Sequence, residues 1–272
     1  MSLRETTQEL LRRHGVTLDP SMDEQQLVDE EAITCLVGSA GVEESDAVVE
    51  VGPGAGNITE LLLSVARRVV AVEKSLRFVP VLLDRFRGAT RLEIIIGDAL
   101  TADIPGHDRL VSNLPYMIGE AMLHRFPRMG FKRASIIVPE GFGEKLTASV
   151  GSAGYTKLSH FAQLFYVTSQ VCTLPSSAYM PGPSTSTWIV TLTPRASQGR
   201  DEYAVRELVL QRDKLVKNAL REALIRADVC GTKREARSTL ARLRVPDRVM
   251  AKSVSRLSLR ELLLLDDALS AL

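Results

Sequence analysis

The residues with the clearest chemical potential form one tetrapeptide, Asn113-Leu114-Pro115-Tyr116. An exocyclic amine on a nucleobase is a poor nucleophile because its lone pair is delocalised into the ring. Carbonyl acceptors on both of its N–H bonds, here the Asn113 side chain and the Leu114 backbone, would favour the pyramidal nitrogen of a transition state. Pro115 fixes the turn, and Tyr116 offers a ring on which an unstacked base can lie.

A second group surrounds three alternate glycines, Gly52, Gly54 and Gly56, in the run from Glu50 to Thr59. They follow an apolar stretch and precede a helical pattern. Glycine there lets backbone approach a ligand that a side chain would strike, and it permits positive φ. The spacing is GxGxG, whereas dinucleotide sites use GxGxxG with a pyrophosphate against the helix. Glu73 ends the next strand, where a carboxylate can accept from both ribose hydroxyls. Asp98 ends the one after, placed to accept from an adenine amino group. Glu50 adds negative charge near the loop, useful for a ligand carrying an ammonium and a sulfonium. A nucleoside without a pyrophosphate suits this set, S-adenosylmethionine being the common one, and suits it better than NAD.

For these residues to converge they must sit at the ends of parallel strands, and the sequence between Asp46 and Val138 has that pattern. Short β-branched runs alternate with longer amphipathic segments, as in βαβ units. The predicted strands are Ala47–Val51, Arg68–Glu73, Leu92–Ile96, Arg109–Ser112 and Ser135–Val138. Two more runs, Phe165–Thr173 and Thr187–Leu192, lack a helix between them and fit an antiparallel hairpin. After Arg195–Arg200 only helical periodicity remains. One amphipathic helix is predicted from Leu208 to Ile225 and another from Leu257 to Leu269, with breaks at Gly231 and Pro246. The expected fold class is α/β, a Rossmann-like sheet at residues 1–197 followed by a small all-helical domain at 198–272.

At this point the sequence resembles the ribosomal RNA adenine dimethyltransferase family of the KsgA type, with which the erythromycin-resistance methyltransferases share a fold. Glu50 to Gly56 resembles the family's first motif, Val72-Glu73 its ribose-binding motif, Gly97-Asp98-Ala99-Leu100 its adenine motif and Asn113 to Tyr116 its catalytic motif. Tyr155 to Ser159 resembles its YGKLS, Tyr179 to Pro183 its FxPxP, and Gln211-Arg212-Asp213-Lys214 the start of its basic helical domain. The resemblance implies a class I S-adenosylmethionine methyltransferase with Asn113, Leu114, Pro115 and Tyr116 as catalytic residues. It implies a cofactor set of Gln25, Leu27, Glu50, Gly52, Gly54, Gly56, Glu73, Lys74, Asp98, Ala99 and Asn113. It also implies substrate contacts by Tyr116, Tyr179, Arg212, Lys214 and Lys217, with Tyr179 packing against the target adenine. Departures occur at four places. Glu24 stands where the family has the glutamine that holds the methionine end of the cofactor, and Ser75 where it has aspartate. Pro139-Glu140-Gly141 replaces Gln-x-Glu, and Thr185-Ser186-Thr187 replaces VxS.

Composition bounds the rest. A chain of 272 residues with 25% charged and 45% apolar residues, and a mean hydropathy of +0.04, is that of a folded, water-soluble protein. No stretch approaches the roughly 18 apolar residues of a membrane span, and the N-terminus has no secretory h-region. A cytoplasmic location is expected. Cys35, Cys172 and Cys230 are far apart, as are His14, His107, His124 and His160, so no metal site is expected. Net charge is only +1, yet from Asp201 to Leu272 there are 15 Lys and Arg against 11 Asp and Glu. That bias fits either a solvated helical surface or a phosphate-contacting face, with Arg206, Arg212, Lys214, Lys217 and Arg221 as candidates.

The expected activity is methylation, in two rounds per base, of the exocyclic amine of adenosines in small-subunit rRNA. The partner would be that rRNA or the pre-ribosomal small subunit, with no membrane involved and the chain acting as a monomer. The alternatives are a large-subunit rRNA adenine methyltransferase of the antibiotic-resistance type and a non-catalytic rRNA-binding assembly factor.

Overall fold

The computed structural model describes residues 1–272. They divide into two compact units, Met1–Thr147 with Val167–Pro194, and Ala148–Tyr166 with Arg195–Leu272. The junction at Pro194 lies three residues before the expected boundary at 197. The segment Ala148–Tyr166, assigned from sequence to the sheet domain, groups with the helical unit instead.

In chain order the strands are β1 (Gln26–Leu27), β2 (Ala47–Val51), β3 (Arg68–Glu73), β4 (Leu92–Ile96), β5 (Arg109–Asn113), β6 (Arg133–Pro139), β7 (Tyr166–Leu174), β8 (Tyr179–Met180) and β9 (Thr187–Pro194). The helices of the first unit are α1 (Leu3–Arg13), α2 (Glu30–Ala40), α3 (Asn57–Val65), α4 (Val79–Arg85), α5 (Gly119–Met129) and α6 (Glu140–Thr147). Seven strands form one sheet in the order β4-β3-β2-β5-β6-β9-β7. β2 to β6 are parallel, β9 runs antiparallel to β6, and β7 lies outside it. The two late strands therefore extend the sheet at one edge, as expected from the absence of a crossover helix. The order reverses between β2 and β5, and ligands of open α/β sheets bind at such a switch point, beyond the carboxyl ends of the strands.

The central strands β2, β3, β5 and β6 are buried on both faces because helices cover both sides of a parallel sheet. All five residues of β2 are buried, and Leu36, Leu62, Val69, Val111, Ile137 and Ile189 are among those closing a core on α2 and α3. Helix ends are set by local chemistry. Asp29 caps α2 by accepting from the Ala32 N–H at 2.9 Å, and Gly41 ends it in the left-handed region. A smaller cluster of Leu10, Leu11, Val28, Ala55, Phe78 and Val81 fastens α1 beside the glycine loop.

The second unit comprises α7 (Lys157–Phe165), α8 (Arg200–Val209), α9 (Val216–Arg226), α10 (Lys233–Arg242), α11 (Asp247–Met250) and α12 (Leu259–Ser270). The single helix expected from Leu208 to Ile225 is in fact α8 and α9, separated by a turn at 210–215. No glycine or proline marks this break. It is made by long-range backbone pairing, with Val254 N–H donating to Lys214 O and Val216 N–H to Lys252 O, so apolar residues on either side serve two helices with one continuous periodicity. Arg212 and Lys214 consequently lie in the turn and not along a helical face. Lys214 is ion-paired with Glu222 at 2.5 Å and Arg206 with Glu202 at 2.6 Å, whereas Lys217 is exposed on α9.

Candidate active site

The carboxyl ends of β2, β3, β4 and β5 surround a cavity of about 480 Å³, a size suited to a nucleoside-containing ligand. Its lining includes Gly52, Gly54, Glu73, Lys74, Asp98, Ala99, Asn113 and Pro115 from those ends, with Gln25 and Leu27 from the segment before α2. The expected cofactor and catalytic residues therefore converge, with four exceptions taken up below: Glu50, Gly56, Leu114 and Tyr116.

All three loop glycines have positive φ, +68° at Gly52, +55° at Gly54 and +85° at Gly56. The space beside them is filled by the protein itself. A Cβ on Gly52 would lie 3.1 Å from Pro115, one on Gly54 2.4 Å from Gln26 Oε1, and one on Gly56 2.5 Å from the Phe86 ring. Gly56 thus serves packing against α4 and does not line the cavity, which corrects its place in the expected cofactor set. Gly56→Ala combines left-handed strain with overpacking and should destabilise the fold by about 3 kcal/mol, read as a lower urea midpoint at unchanged slope.

Glu73 is buried, and each of its carboxylate oxygens accepts one backbone N–H: Oε2 from Gly54 at 3.1 Å and Oε1 from Ser75 at 2.7 Å. Burial raises its pKa, opposed by these donors and the Lys74 N–H. The carboxylate keeps lone-pair capacity for a further donor from the cavity. Asp98 is held by the Leu100 N–H at 2.9 Å and by Lys74 Nζ at 3.0 Å, and these contacts hold its carboxyl below the usual range. Asp23, Glu24, Glu73 and Asp98 line the cavity against Lys74 as the cation, an acidic surround that suits a positively charged ligand.

Glu50 does not contribute to that surround, contrary to expectation. It is 1% exposed, accepts from the Thr59 hydroxyl at 2.6 Å behind the loop, and burial pushes its carboxyl up to about 8. The folded chain thus holds the Glu50 proton up to about pH 8, while the unfolded chain releases it near the ordinary value of 4.5. Stability from this group is full below the lower value and is lost as pH rises through the higher one. Glu50→Gln should remove that loss: its melting temperature relative to the parent should climb from about pH 5 to about pH 8, measured by thermal denaturation.

The tetrapeptide is held by β6 on one side and by Gln25 on the other. Leu114 N–H donates to Ile137 O at 3.2 Å and the Leu114 side chain is buried at 1% exposure. Asn113 Nδ2 donates to Gln25 O at 3.2 Å, which leaves Oδ1 as an acceptor, shielded from solvent and without a partner. Asp23, in the left-handed region at φ 58°, accepts from the Met117 N–H at 2.7 Å. The Tyr116 ring is half-buried and its hydroxyl neighbours Tyr179; burial and the Asp23 carboxylate push the phenol up to about 12.

Tyr179 is a correction. It is 1% exposed in the core, its hydroxyl bonded to Thr187 Oγ1 at 2.5 Å, because β8 pairs with β1 and turns the ring inward. No face is left for a substrate base. Arg212, Lys214 and Lys217 belong to the helical unit and not to the unit that contains the cavity.

Several cavity residues were not anticipated. Gln26 Oε1 accepts from the Ala55 N–H at 2.8 Å and crosses over Gly54. Asp23, Phe78, Met117 and Ile118 also line the cavity. Nothing local marks Gln26, since its partner in the two-residue ladder, Met180, is more than 150 residues away. The departures from the resembled motifs are accommodated. Glu24 is buried, bonded to Arg77 Nη1 at 3.2 Å and to the Asp19 N–H at 2.8 Å. Ser75 supplies its N–H to Glu73 as described. Glu140 and Ser186, from the two other altered motifs, bond one another through side chains, and the Glu140 N–H donates to Ser186 O at 3.0 Å.

The reversed strand β9 between β6 and β7 and the cavity at the strand ends define the class I S-adenosylmethionine-dependent methyltransferase fold. Among the solved structures that share it are a dimethyladenosine transferase from Plasmodium falciparum, 23% identical with a TM-score of 0.61 over 87% of this chain and 94% of that one, and the 23S rRNA methyltransferase ErmE, 21% identical with a TM-score of 0.61 over 90% and 99%. The chain belongs to the ribosomal RNA adenine dimethylase family, whose pattern it matches over residues 17–250. Among curated relatives, a probable ribosomal RNA small subunit methyltransferase A of Methanosarcina mazei is 34% identical over 206 residues, 74% of this chain and 76% of that protein. A ribosomal RNA small subunit methyltransferase A of Shouchella clausii is 32% identical over 201 residues, 70% and 68%.

Proposed function

We propose that this protein methylates the exocyclic amine of adenosines in small-subunit rRNA, twice on each target base, with S-adenosylmethionine as donor. The observation that carries this reading is the orphaned Asn113 Oδ1 at the end of β5, in the lining that also holds the Glu73 carboxylate and the glycine loop. A buried acceptor without a donor is unfavourable unless a ligand supplies one.

The residues fit the cofactor. Glu73 would hold the ribose, Asp98 and Ala99 the adenine, and the backbone around Gly52 and Gly54 with Gln25 and Leu27 the remainder. When bound, S-adenosylmethionine supplies an activated methyl group.

Asn113 acts on the acceptor amine. Its Nδ2 bond to Gln25 O keeps Oδ1 as the acceptor, so an N–H of the amine can donate to it and the nitrogen lone pair is drawn out of conjugation. The Leu114 carbonyl would take the second N–H. Pro115, close over Gly52, places this corner directly against the glycine loop. Arg212 and Lys217 are the proposed phosphate contacts of the helical unit.

The test is methyl transfer from labelled donor to purified, undermethylated small subunits, followed by mapping of the modified nucleotides. Dimethyladenosine in small-subunit rRNA supports the proposal. Label confined to large-subunit rRNA, or no transfer at all with retained ribosome binding, overturns it.

A further inference from the structure

Cys35 in α2 and Cys172 in β7 are separated by 137 residues in sequence, yet their sulfurs lie 3.6 Å apart. Both are half-buried free thiols packed against the main core of the sheet unit. Their sulfurs are in direct contact, the arrangement from which a disulfide can form. The third thiol, Cys230, is buried in the helical unit with its sulfur 3.4 Å from Thr239 Oγ1.

The position of the pair in the chain gives the contact a consequence. α2 starts just beyond β1, capped by Asp29, and β7 leads through Pro175 and the turn Ser176–Ala178 into β8. Cys35 and Cys172 therefore flank the two segments that enter the β1–β8 ladder. That ladder carries Gln26, which holds the Ala55 N–H, and it directly follows Gln25, whose carbonyl holds Asn113.

We propose that Cys35 and Cys172 form a modification site at which peroxide produces a disulfide, stapling α2 to the edge strand β7 and clamping the ladder that walls the cavity. One thiolate attacks the peroxide, its sulfur becomes a sulfenic acid, and the O–O bond breaks with hydroxide leaving. The second thiol then attacks that sulfur, the S–S bond forms and water departs. In sum two thiols lose two protons and two electrons while hydrogen peroxide is reduced to two waters. Burial and the neighbouring Cys35 push the Cys172 thiol up to about 11, which disfavours Cys172 as the attacking thiolate.

The full-length protein, reduced and folded, is treated with hydrogen peroxide, alkylated under denaturing conditions and digested. The expected result is that the alkylatable thiols fall from three to one, with a peptide pair linked through Cys35 and Cys172 that dithiothreitol separates. The oxidised form should melt roughly 5–10 °C higher than the reduced form. Cys230→Ser should behave as the parent, while Cys35→Ser and Cys172→Ser should lose both the link and the shift. Sulfinic acid at either cysteine without a linked peptide, a link through Cys230, or an unchanged melting temperature of the linked form overturns the proposal.

Discussion

Asn113→Ala is expected to slow methyl transfer by about 10²- to 10³-fold while weakening S-adenosylmethionine binding only a few-fold. The asymmetry follows from what the side chain touches. Its Oδ1 meets nothing in the free protein, so what is lost at that atom is lost when the amine becomes pyramidal, at the transition state. Its Nδ2 supports one carbonyl of the cavity wall, Gln25 O, and the wall retains the Gln26 bond to the loop and the Asp23 bond to Met117. Turnover on undermethylated small subunits and calorimetric titration of the donor read the two quantities separately. A parallel fall in both would remove Asn113 from the chemistry and make it a wall-positioning residue.

Glu73→Ala is expected to abolish measurable donor binding, a loss of at least about 100-fold in affinity, and activity with it. In the proposed function the carboxylate has two tasks, and alanine ends both. It leaves the two ribose hydroxyls without an acceptor, and it strands the Gly54 and Ser75 N–H groups that define the loop. Glu73→Gln keeps one carbonyl oxygen and places an N–H₂ against a backbone donor, so it should bind little better. Calorimetry at high donor concentration measures both variants. Near-parental affinity for Glu73→Ala would mean that the ribose is held elsewhere.

The strands were the most legible part of the fold. β2, β3 and β4 begin and end at the residues expected, because each is a short β-branched run closed by glycine, aspartate or a charged residue. The ends of β5 and β6 ran one to two residues longer, and Asn113 proved to be the last residue of its strand and not the first of its loop. The helical unit was less legible. Its apolar period continues through 210–215, and only pairing with Lys252–Val254 interrupts it.

Among site residues, those on strand ends were identifiable because topology brings every such end to one edge. Residues whose direction depends on a distant partner were not. Tyr179 has an aromatic ring in the expected motif, but pairing with Leu27 and the bond to Thr187 turn it into the core. Glu50 carries a formal charge in the sequence and burial takes the charge away. The glycines adopt the positive φ that their residue type permits, but the neighbours that exclude side chains there are Pro115, Gln26 and Phe86.

Linear order thus suffices for the parallel sheet, the edge at which chemistry gathers, and the placing of Glu73 and Asn113 at that edge. Each of these follows from local periodicity plus the rule that right-handed crossovers return every strand in the same direction. Protonation of Glu50, the inward turn of Tyr179, the unpaired oxygen of Asn113 and the contact between Cys35 and Cys172 arise from partners scores of residues apart, or from the removal of water around them. Those partners, and the exclusion of water, come into being only when the chain has closed on its core.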